Sequence, residues 1–68
     1  MPADRVRAHV DALPPAQRAA VMLFDFEDRS VLEAARTLGM PENTFKTHLH
    51  RARAALRAAW VRDAGETR

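Results

Sequence analysis

The stretch PENTFKTHLHRARAALRAAW, from Pro41 to Trp60, decides the fold of this chain. At about 100° per residue of an α-helix, its apolar side chains form one stripe, spaced i, i+4, i+7, i+11 and i+15. The stripe consists of Phe45, Leu49, Ala52, Leu56 and Trp60. Short polar and cationic side chains occupy the other side. This pattern predicts one long helix that packs on a core with one face and meets solvent with the other.

Positive charge is concentrated on the same segment. From Lys46 to Arg62 there are five Lys or Arg residues and no acidic residue, although the net charge of all 68 residues is only +2. Residues 1–45 carry a net charge of −2, and residues 46–68 carry one of +4. A cationic helix face whose reverse side is held in a core can lie in a groove of DNA.

The composition excludes several classes of protein. A chain of 68 residues suffices for one small domain, and the absence of cysteine excludes disulfides and thiolate zinc sites. No apolar run has membrane-spanning length and the N-terminus lacks a signal-peptide pattern, so we expect a cytoplasmic protein without a membrane partner. The chain has no nucleophile–base pair and no phosphate-binding glycine loop, so we expect neither an enzyme nor a cofactor.

A proline pair separates the first two predicted helices. Apolar side chains recur at helical spacing within residues 3–12, which predicts a first helix. Pro14 and Pro15 end it, because proline disfavours a helix interior, yet proline is well tolerated at a helix start. A second helix, apolar on much of its circumference, is therefore predicted from this pair to about Phe26.

The third predicted helix has a defined start and end. Ser30 and Glu33 have the spacing of a capping box, and Gly39 suits the left-handed conformation that ends many helices. A capped helix, a glycine turn and a longer basic helix form a helix-turn-helix. We therefore predict an all-α fold, a small four-helix bundle containing a helix-turn-helix, in residues 1–62, with a flexible tail in residues 63–68.

The same patterns predict the core and argue against a metal site. The expected core residues are Val10, Leu13, Val21, Leu23, Phe24, Val31, Leu38, Phe45, Leu49 and Leu56. Ala34 and Ala35 belong to the buried face of the third helix and allow close packing. Trp60 is expected in the core or at its edge, not stacked on a base. His48, expected to be partly buried, and His50 lie about 200° apart on a helix and cannot chelate one ion.

Four short motifs follow one another along the chain: LPPAQR (residues 13–18), S-x-x-E-x-A (residues 30–35), LG (residues 38–39) and TFKTHLHRARAALR (residues 44–57). Together they resemble region 4 of bacterial sigma factors, most closely those of the extracytoplasmic-function type. The resemblance runs from Leu13 to Trp60. It implies recognition of the −35 promoter element in double-stranded DNA, contact with the β-subunit flap of RNA polymerase, and binding by an anti-sigma factor. We expect the isolated domain to be a monomer.

Nine residues are candidates for DNA contact. Those expected at base edges or groove walls are Lys46, Thr47, His50 and Arg51. Those expected at phosphates, where they give affinity and not sequence choice, are Arg36, Arg53 and Arg57. Asn43 and Thr44, in the first turn of the same helix, complete the set. For each residue the structural alternative is a solvated helix face.

The chain departs from the family pattern at two positions where glycine is usual. Asp28 is expected to alter the loop before Ser30, and Asn43 adds a side chain within reach of bases. Asp25 and Glu27 are expected with Asp28 in an exposed loop. Sigma factors also need region 2, which melts the promoter and which these 68 residues do not contain, so we expect an excised domain or a stand-alone module.

Two other functions remain open at this stage. The sequence ENTFKTHL, residues 42–49, also resembles the recognition helix of LuxR-type response-regulator output domains, which share the four-helix plan and would dimerise through the last helix. Alternatively the chain is a sigma-like protein-interaction module, held by an anti-sigma factor or the polymerase flap. The apolar residues in excess of what a small bundle must bury are Met22, Phe24, Phe26 and Leu32.

Overall fold

The computed structural model describes residues 3–66 and the side chains of residues 4–63. The helices are α1 (Ala3–Asp11), α2 (Pro15–Val21), α3 (Val31–Leu38) and α4 (Glu42–Glu66), and a π-helical turn, Met22–Phe26, continues α2. The described residues contain no strand. The predicted all-α fold is confirmed. None of these helices combines the length and the apolar character needed to cross a bilayer.

The proline pair joins α1 to α2 as the sequence predicted. Pro14 precedes α2 with extended backbone (φ −54°, ψ 149°), and Pro15 is the first residue of that helix. Arg18 of α2 donates a hydrogen bond from Nη1 to the backbone carbonyl of Asp11, at 3.1 Å. A cationic donor at the C-terminal end of α1 satisfies a carbonyl that has no partner within the helix. The first two helices are thereby tied together at their junction.

Both ends of α3 have the predicted caps. Ser30 Oγ accepts a hydrogen bond from the amide of Glu33 at 3.1 Å, and Glu33 Oε1 accepts one from the amide of Ser30 at 3.5 Å. Gly39 adopts the left-handed conformation (φ 67°), and the amide of Met40 donates to the carbonyl of Ala35 at 3.0 Å. The turn that follows leads directly into α4, which completes the helix-turn-helix.

The core lies where α2 and α3 pack against the first half of α4. Its buried residues are Val10, Leu13, Ala20, Val21, Ala34, Ala35, Phe45, Leu49 and Ala52. The remaining predicted core residues are partly buried against it: Leu23, Phe24, Val31, Leu38 and Leu56. The predicted core is thus confirmed. Its many alanines allow the helices to approach closely, because a methyl group is the smallest side chain that can fill such a contact.

The last helix is longer than the sequence predicted. The helix α4 does not end near Arg62 but continues to Glu66. Asp63 there accepts a hydrogen bond from His9 Nε2 of α1, at 2.8 Å. This segment has no apolar side chains at helical spacing. Its contact with the rest of the domain is polar, and it is made with the first helix of the chain. Residues 67–68 lie outside the described part of the chain.

The buried stripe of α4 also shifts towards its C-terminal end. Ala59 is 5 % exposed there, whereas Trp60 is 49 % exposed and lies at the edge of the core. At this level α4 packs against α1, so the buried side of the helix turns towards Ala59 and Asp63. The sequence allowed either a core or an edge position for Trp60, and the packing of α1 selects the edge.

Candidate nucleic-acid interface

The apolar stripe fixes the orientation of α4. Phe45 and Leu49 are buried on the side of α4 that faces the core, whereas Lys46, Thr47 and Arg51 are exposed on the other side. The predicted separation of an apolar and a cationic face is therefore confirmed. Since both faces belong to one rigid helix, the cationic side chains project from a backbone that the core holds in place.

All nine candidate residues are exposed. They are Arg36 on α3 and Asn43, Thr44, Lys46, Thr47, His50, Arg51, Arg53 and Arg57 on α4. The segment from Asn43 to Arg51 occupies the first turns of α4, close after the Gly39 turn. Exposure is a condition for contact with DNA, and the contact itself remains a prediction.

Thr47 presents a restricted chemistry to solvent. Its hydroxyl donates a hydrogen bond to the backbone carbonyl of Asn43, at 3.0 Å. Because this bond uses the hydroxyl hydrogen, the groups left for a ligand are the lone pairs of Oγ1 and the methyl group. Thr47 in this conformation can accept from a base amino group or contact a thymine methyl, and it cannot donate to a phosphate.

The cations of α4 fall into two groups. Within residues 4–63, no ion pair involves Lys46, Arg51 or Arg57, so their charges are available to a ligand. Arg53 differs, because Nε donates to Asp25 Oδ2 at 3.3 Å and Nη2 donates to Asp25 Oδ1. The sequence grouped Arg53 with Arg57 as a phosphate contact, whereas the structure separates the two.

Phe24 completes the surroundings of Arg53. The guanidinium carbon lies 5.2 Å from the centre of the Phe24 ring, within the range of a cation–π interaction. The hydrogen bonds with Asp25 raise the pKa of Arg53, and the negative charge of Asp25 adds to that effect, while partial burial opposes it. Asp25 is exposed, as predicted, but it lies in the π-helical turn and has a partner. No local pattern could reveal this pair, because 28 residues separate its members.

At residue 28, where the family usually has glycine, the backbone adopts a conformation that favours glycine. Asp28 has φ 55°, and it is the only non-glycine residue with positive φ in the described part of the chain. The amide of Arg29 next to it donates to the carbonyl of Leu23, at 2.9 Å. Asp28 therefore takes up the left-handed conformation, which an L-residue adopts at a cost of about 1–2 kcal/mol.

The histidines lie in three different environments. His9 pairs with Asp63, His50 is exposed, and His48 is half-buried, as predicted for it. The Nδ1 atom of His48 is buried and has no hydrogen-bond partner among the described residues. The described residues also hold no group of three or more metal-ligating side chains.

An open groove of about 810 Å³ separates α1 from α2. Its lining residues are Asp4, Val6, Arg7, Val10, Asp11, Pro15, Arg18, Ala19, Met22 and Phe26. Phe26 is 54 % exposed, and Leu32 on α3 is 43 % exposed outside the groove lining. Of the apolar residues that the sequence marked as surplus, Phe26 and Leu32 are exposed, and Met22 and Phe24 are half-buried.

Comparison with known proteins identifies the family to which this arrangement belongs. The family model described as sigma-70, region 4 matches residues 3–56 of the chain. The chain belongs to the sigma-70 region 4 family. The resemblance found in its motifs is thereby confirmed, and membership of this family favours the sigma-factor interpretation over a LuxR-type output domain.

Relatives of this region 4 chain are much longer proteins. The ECF RNA polymerase sigma factor SigE of Mycolicibacterium smegmatis is 40 % identical over 62 residues, which cover 91 % of this chain and 24 % of that protein. The RNA polymerase sigma-E factor of Streptomyces coelicolor is 49 % identical over 49 residues, which cover 72 % of this chain and 28 % of that protein. The chain thus spans about a quarter of the length of these relatives. No solved structure matches it significantly.

Proposed function

We propose that this chain binds double-stranded promoter DNA in transcription initiation, recognising the −35 element as domain 4 of an extracytoplasmic-function sigma factor. One observation carries the proposal: α4 is anchored in the core by the buried side chains of Phe45 and Leu49, and its cationic face is exposed on the opposite side. A helix held in this way can enter the major groove without unfolding its core. Membership of the region 4 family supports the same role.

The contacts divide into base recognition and phosphate binding. Lys46 and Arg51 donate to guanine O6 or N7, and Thr47 accepts from a base amino group or meets a thymine methyl. Arg36 on α3 and Arg57 on α4 bind phosphates on either side of the groove, which gives affinity with little sequence dependence. Asn43, Thr44 and His50 lie on the same exposed part of α4 and complete the contact surface.

Two arginines of α4 test this division. On a duplex selected from a randomised pool by the wild-type chain, Arg51→Ala lowers binding by about 1–3 kcal/mol, because a paired base edge loses its donor. On scrambled duplexes Arg51→Ala has a smaller effect. Arg57→Ala weakens binding to both kinds of DNA about equally. Band-shift titrations measure both; equal, small losses for both variants on both duplexes would contradict the proposal.

The groove between α1 and α2 favours a second contact. We propose that an apolar helix of the β-subunit flap of RNA polymerase docks there, with Phe26 and Met22 as its apolar anchors. Phe26 is half-exposed in the isolated domain and would lose that exposure beneath a partner. Charged residues of both signs at the rim, Asp4 and Arg7 among them, suit a partner with a polar edge. An anti-sigma factor that covered this groove would compete with the flap.

Truncation of Phe26 tests the groove. Phe26→Ala weakens binding of the purified flap domain by more than about 1 kcal/mol, as removal of an aromatic anchor does, and leaves DNA affinity unchanged. Leu32→Ala is the matched control, because Leu32 is a similarly exposed apolar residue outside the groove lining. Calorimetric titration of the flap domain measures both. Equal effects of the two substitutions would place the flap elsewhere.

The proposed role is non-catalytic and requires access to chromosomal DNA, which places the chain in the cytoplasm. We also propose that the isolated domain is a monomer on and off DNA. Sedimentation of the 68-residue chain measures this, and a dimer formed through α4 would instead favour the response-regulator type of domain.

A further inference from the structure

Arg53 is held on two sides by residues of the π-helical turn. Asp25 accepts hydrogen bonds from two of its nitrogens, and the ring of Phe24 lies 5.2 Å from the guanidinium carbon. Both partners belong to Met22–Phe26, so the turn and the side chain of Arg53 form one unit. A carboxylate that accepts from two guanidinium nitrogens is among the stronger hydrogen-bonded ion pairs in proteins.

The pair changes what Arg53 can offer to DNA. Asp25 occupies the Nε and Nη2 donors on one side of the guanidinium, so a phosphate that approaches this side competes with Asp25 for them. The ion pair also has no net charge, and a neutralised cation releases no counterion from DNA. Arg57, one helical turn later on the same flank, has no ion pair among the described residues and keeps its full charge.

We propose that Asp25 limits the DNA affinity of this domain by holding Arg53 away from the phosphates. The inference rests on the proposed DNA-binding function and adds a determinant that lies outside the DNA-contacting face. Asp25 acts through Arg53 and is a positioning residue, not a DNA contact. Of the cations on α4, Lys46, Arg51 and Arg57 then bind DNA, whereas Arg53 ties α4 to the π-helical turn.

Two isosteric substitutions separate this effect from a general change of charge. Asp25→Asn and Asp28→Asn each remove one negative charge from neighbouring positions. Asp28 has no ion pair among the described residues, and asparagine accepts its positive φ. Only Asp25→Asn releases Arg53. The full 68-residue chain is titrated with a short duplex of random sequence at several salt concentrations.

We expect Asp25→Asn to bind the duplex more tightly than Asp28→Asn at low salt, because one more phosphate is neutralised. The slope of log affinity against log salt should be steeper by about 0.9, so the advantage shrinks roughly threefold between about 50 and 200 mM salt. The gain of affinity must be that of the folded domain. Far-ultraviolet circular dichroism of each variant verifies that helix content is retained.

Two further variants test the assignment to Arg53. The double variant Asp25→Asn/Arg53→Gln keeps the wild-type net charge and should return to the wild-type salt slope. Arg57→Gln should lower that slope by about 0.9, because it removes a cation that does bind phosphate. An unchanged slope for Arg57→Gln, together with a reduced slope for the double variant, would mean that Arg53 binds DNA while paired and would overturn the inference.

The remaining outcomes distinguish this inference from the proposed function. Equal affinities and slopes for Asp25→Asn and Asp28→Asn overturn the inference and leave DNA binding intact. Weaker binding by Asp25→Asn also overturns it, because Asp25 would then orient Arg53 towards DNA. If the wild-type chain does not bind duplex DNA even at low salt, both the inference and the proposed function fall.

Discussion

At the scale of single residues, backbone conformation marks both ends of the α3 segment. Gly39 has φ 67° and Asp28 has φ 55°, so the chain enters the left-handed region once before α3 and once after it. Glycine does so without strain, whereas aspartate has a Cβ atom that crowds the following carbonyl oxygen. The sequence predicted the glycine turn correctly. It also singled out position 28 as unusual, and the positive φ supplies the physical reason.

Replacement of Asp28 by glycine should stabilise the domain. Asp28→Gly removes strain of about 1–2 kcal/mol but adds conformational freedom to the unfolded chain that costs about 0.5–1 kcal/mol, so the free energy of unfolding rises by up to about 1.5 kcal/mol. Urea denaturation at neutral pH measures the change.

Gly39→Ala provides the comparison for Asp28→Gly. No atom lies within 4 Å of a Cβ built at Gly39, so the cost of alanine there is conformational: strain of about 1–2 kcal/mol, offset in part by the lower freedom of the unfolded chain, so the free energy of unfolding should fall by up to about 1.5 kcal/mol. A loss of stability in Asp28→Gly would show that the Asp28 side chain makes a favourable interaction that exceeds its backbone strain.

At the scale of elements, both ends of α3 were predictable, whereas the end of α4 and the π-helical type of the turn after α2 were not. The caps of α3 depend on residues three positions apart, Ser30 and Glu33, and such spacings are visible in the sequence. The π-helical turn Met22–Phe26 was expected as ordinary helix. Its bond from the amide of Glu27 to the carbonyl of Met22, at 3.0 Å, spans five residues and has no side-chain signature in the sequence. Yet this turn carries the carboxylate that pairs with Arg53.

The capping box should contribute measurably to the helix-turn-helix. Ser30→Ala removes the acceptor for the Glu33 amide and should lower the free energy of unfolding by about 1 kcal/mol. Ser30→Asp keeps an acceptor at the same position and should retain most of the stability. Chemical denaturation of the two variants decides the matter: if alanine and aspartate are equivalent at residue 30, the cap does not stabilise α3.

At the scale of the whole molecule, a polar contact joins the first helix to the last. His9 Nε2 donates to Asp63 Oδ2 across 54 positions of sequence, and Arg5 lies 3.9 Å from the same oxygen. The hydrogen bond from His9 lowers the pKa of Asp63; partial burial opposes this, and the charges of His9, Arg5 and Arg62 lower it further. The contact closes the bundle at the end distant from the helix-turn-helix.

This contact makes part of the stability dependent on pH. Because the pKa of Asp63 is lower in the folded than in the unfolded chain, the contact stabilises above the unfolded value, about 3.9, and its contribution is lost as pH falls through the folded value. The difference in unfolding free energy between wild type and Asp63→Asn should therefore be larger at about pH 6 than at about pH 3. Urea midpoints at both values measure it.

Asp4→Asn is the control for the pH experiment, since Asp4 is an exposed acid on α1 with no ion pair among the described residues. Its difference from wild type should change little over the same range. If the difference in unfolding free energy between wild type and Asp63→Asn stays constant with pH, the ionised carboxylate of Asp63 does not stabilise the fold.

The sequence by itself determined the helices, their caps, the two faces of α4 and the family, because each depends on residues close together along the chain or on short motifs. The tertiary structure decided which charges on those faces are free. Asp25 and Arg53, like His9 and Asp63, meet only because the packed helices bring distant positions together. A cation that already has a carboxylate partner differs as a ligand from a free one, and helical periodicity describes only the direction of a side chain.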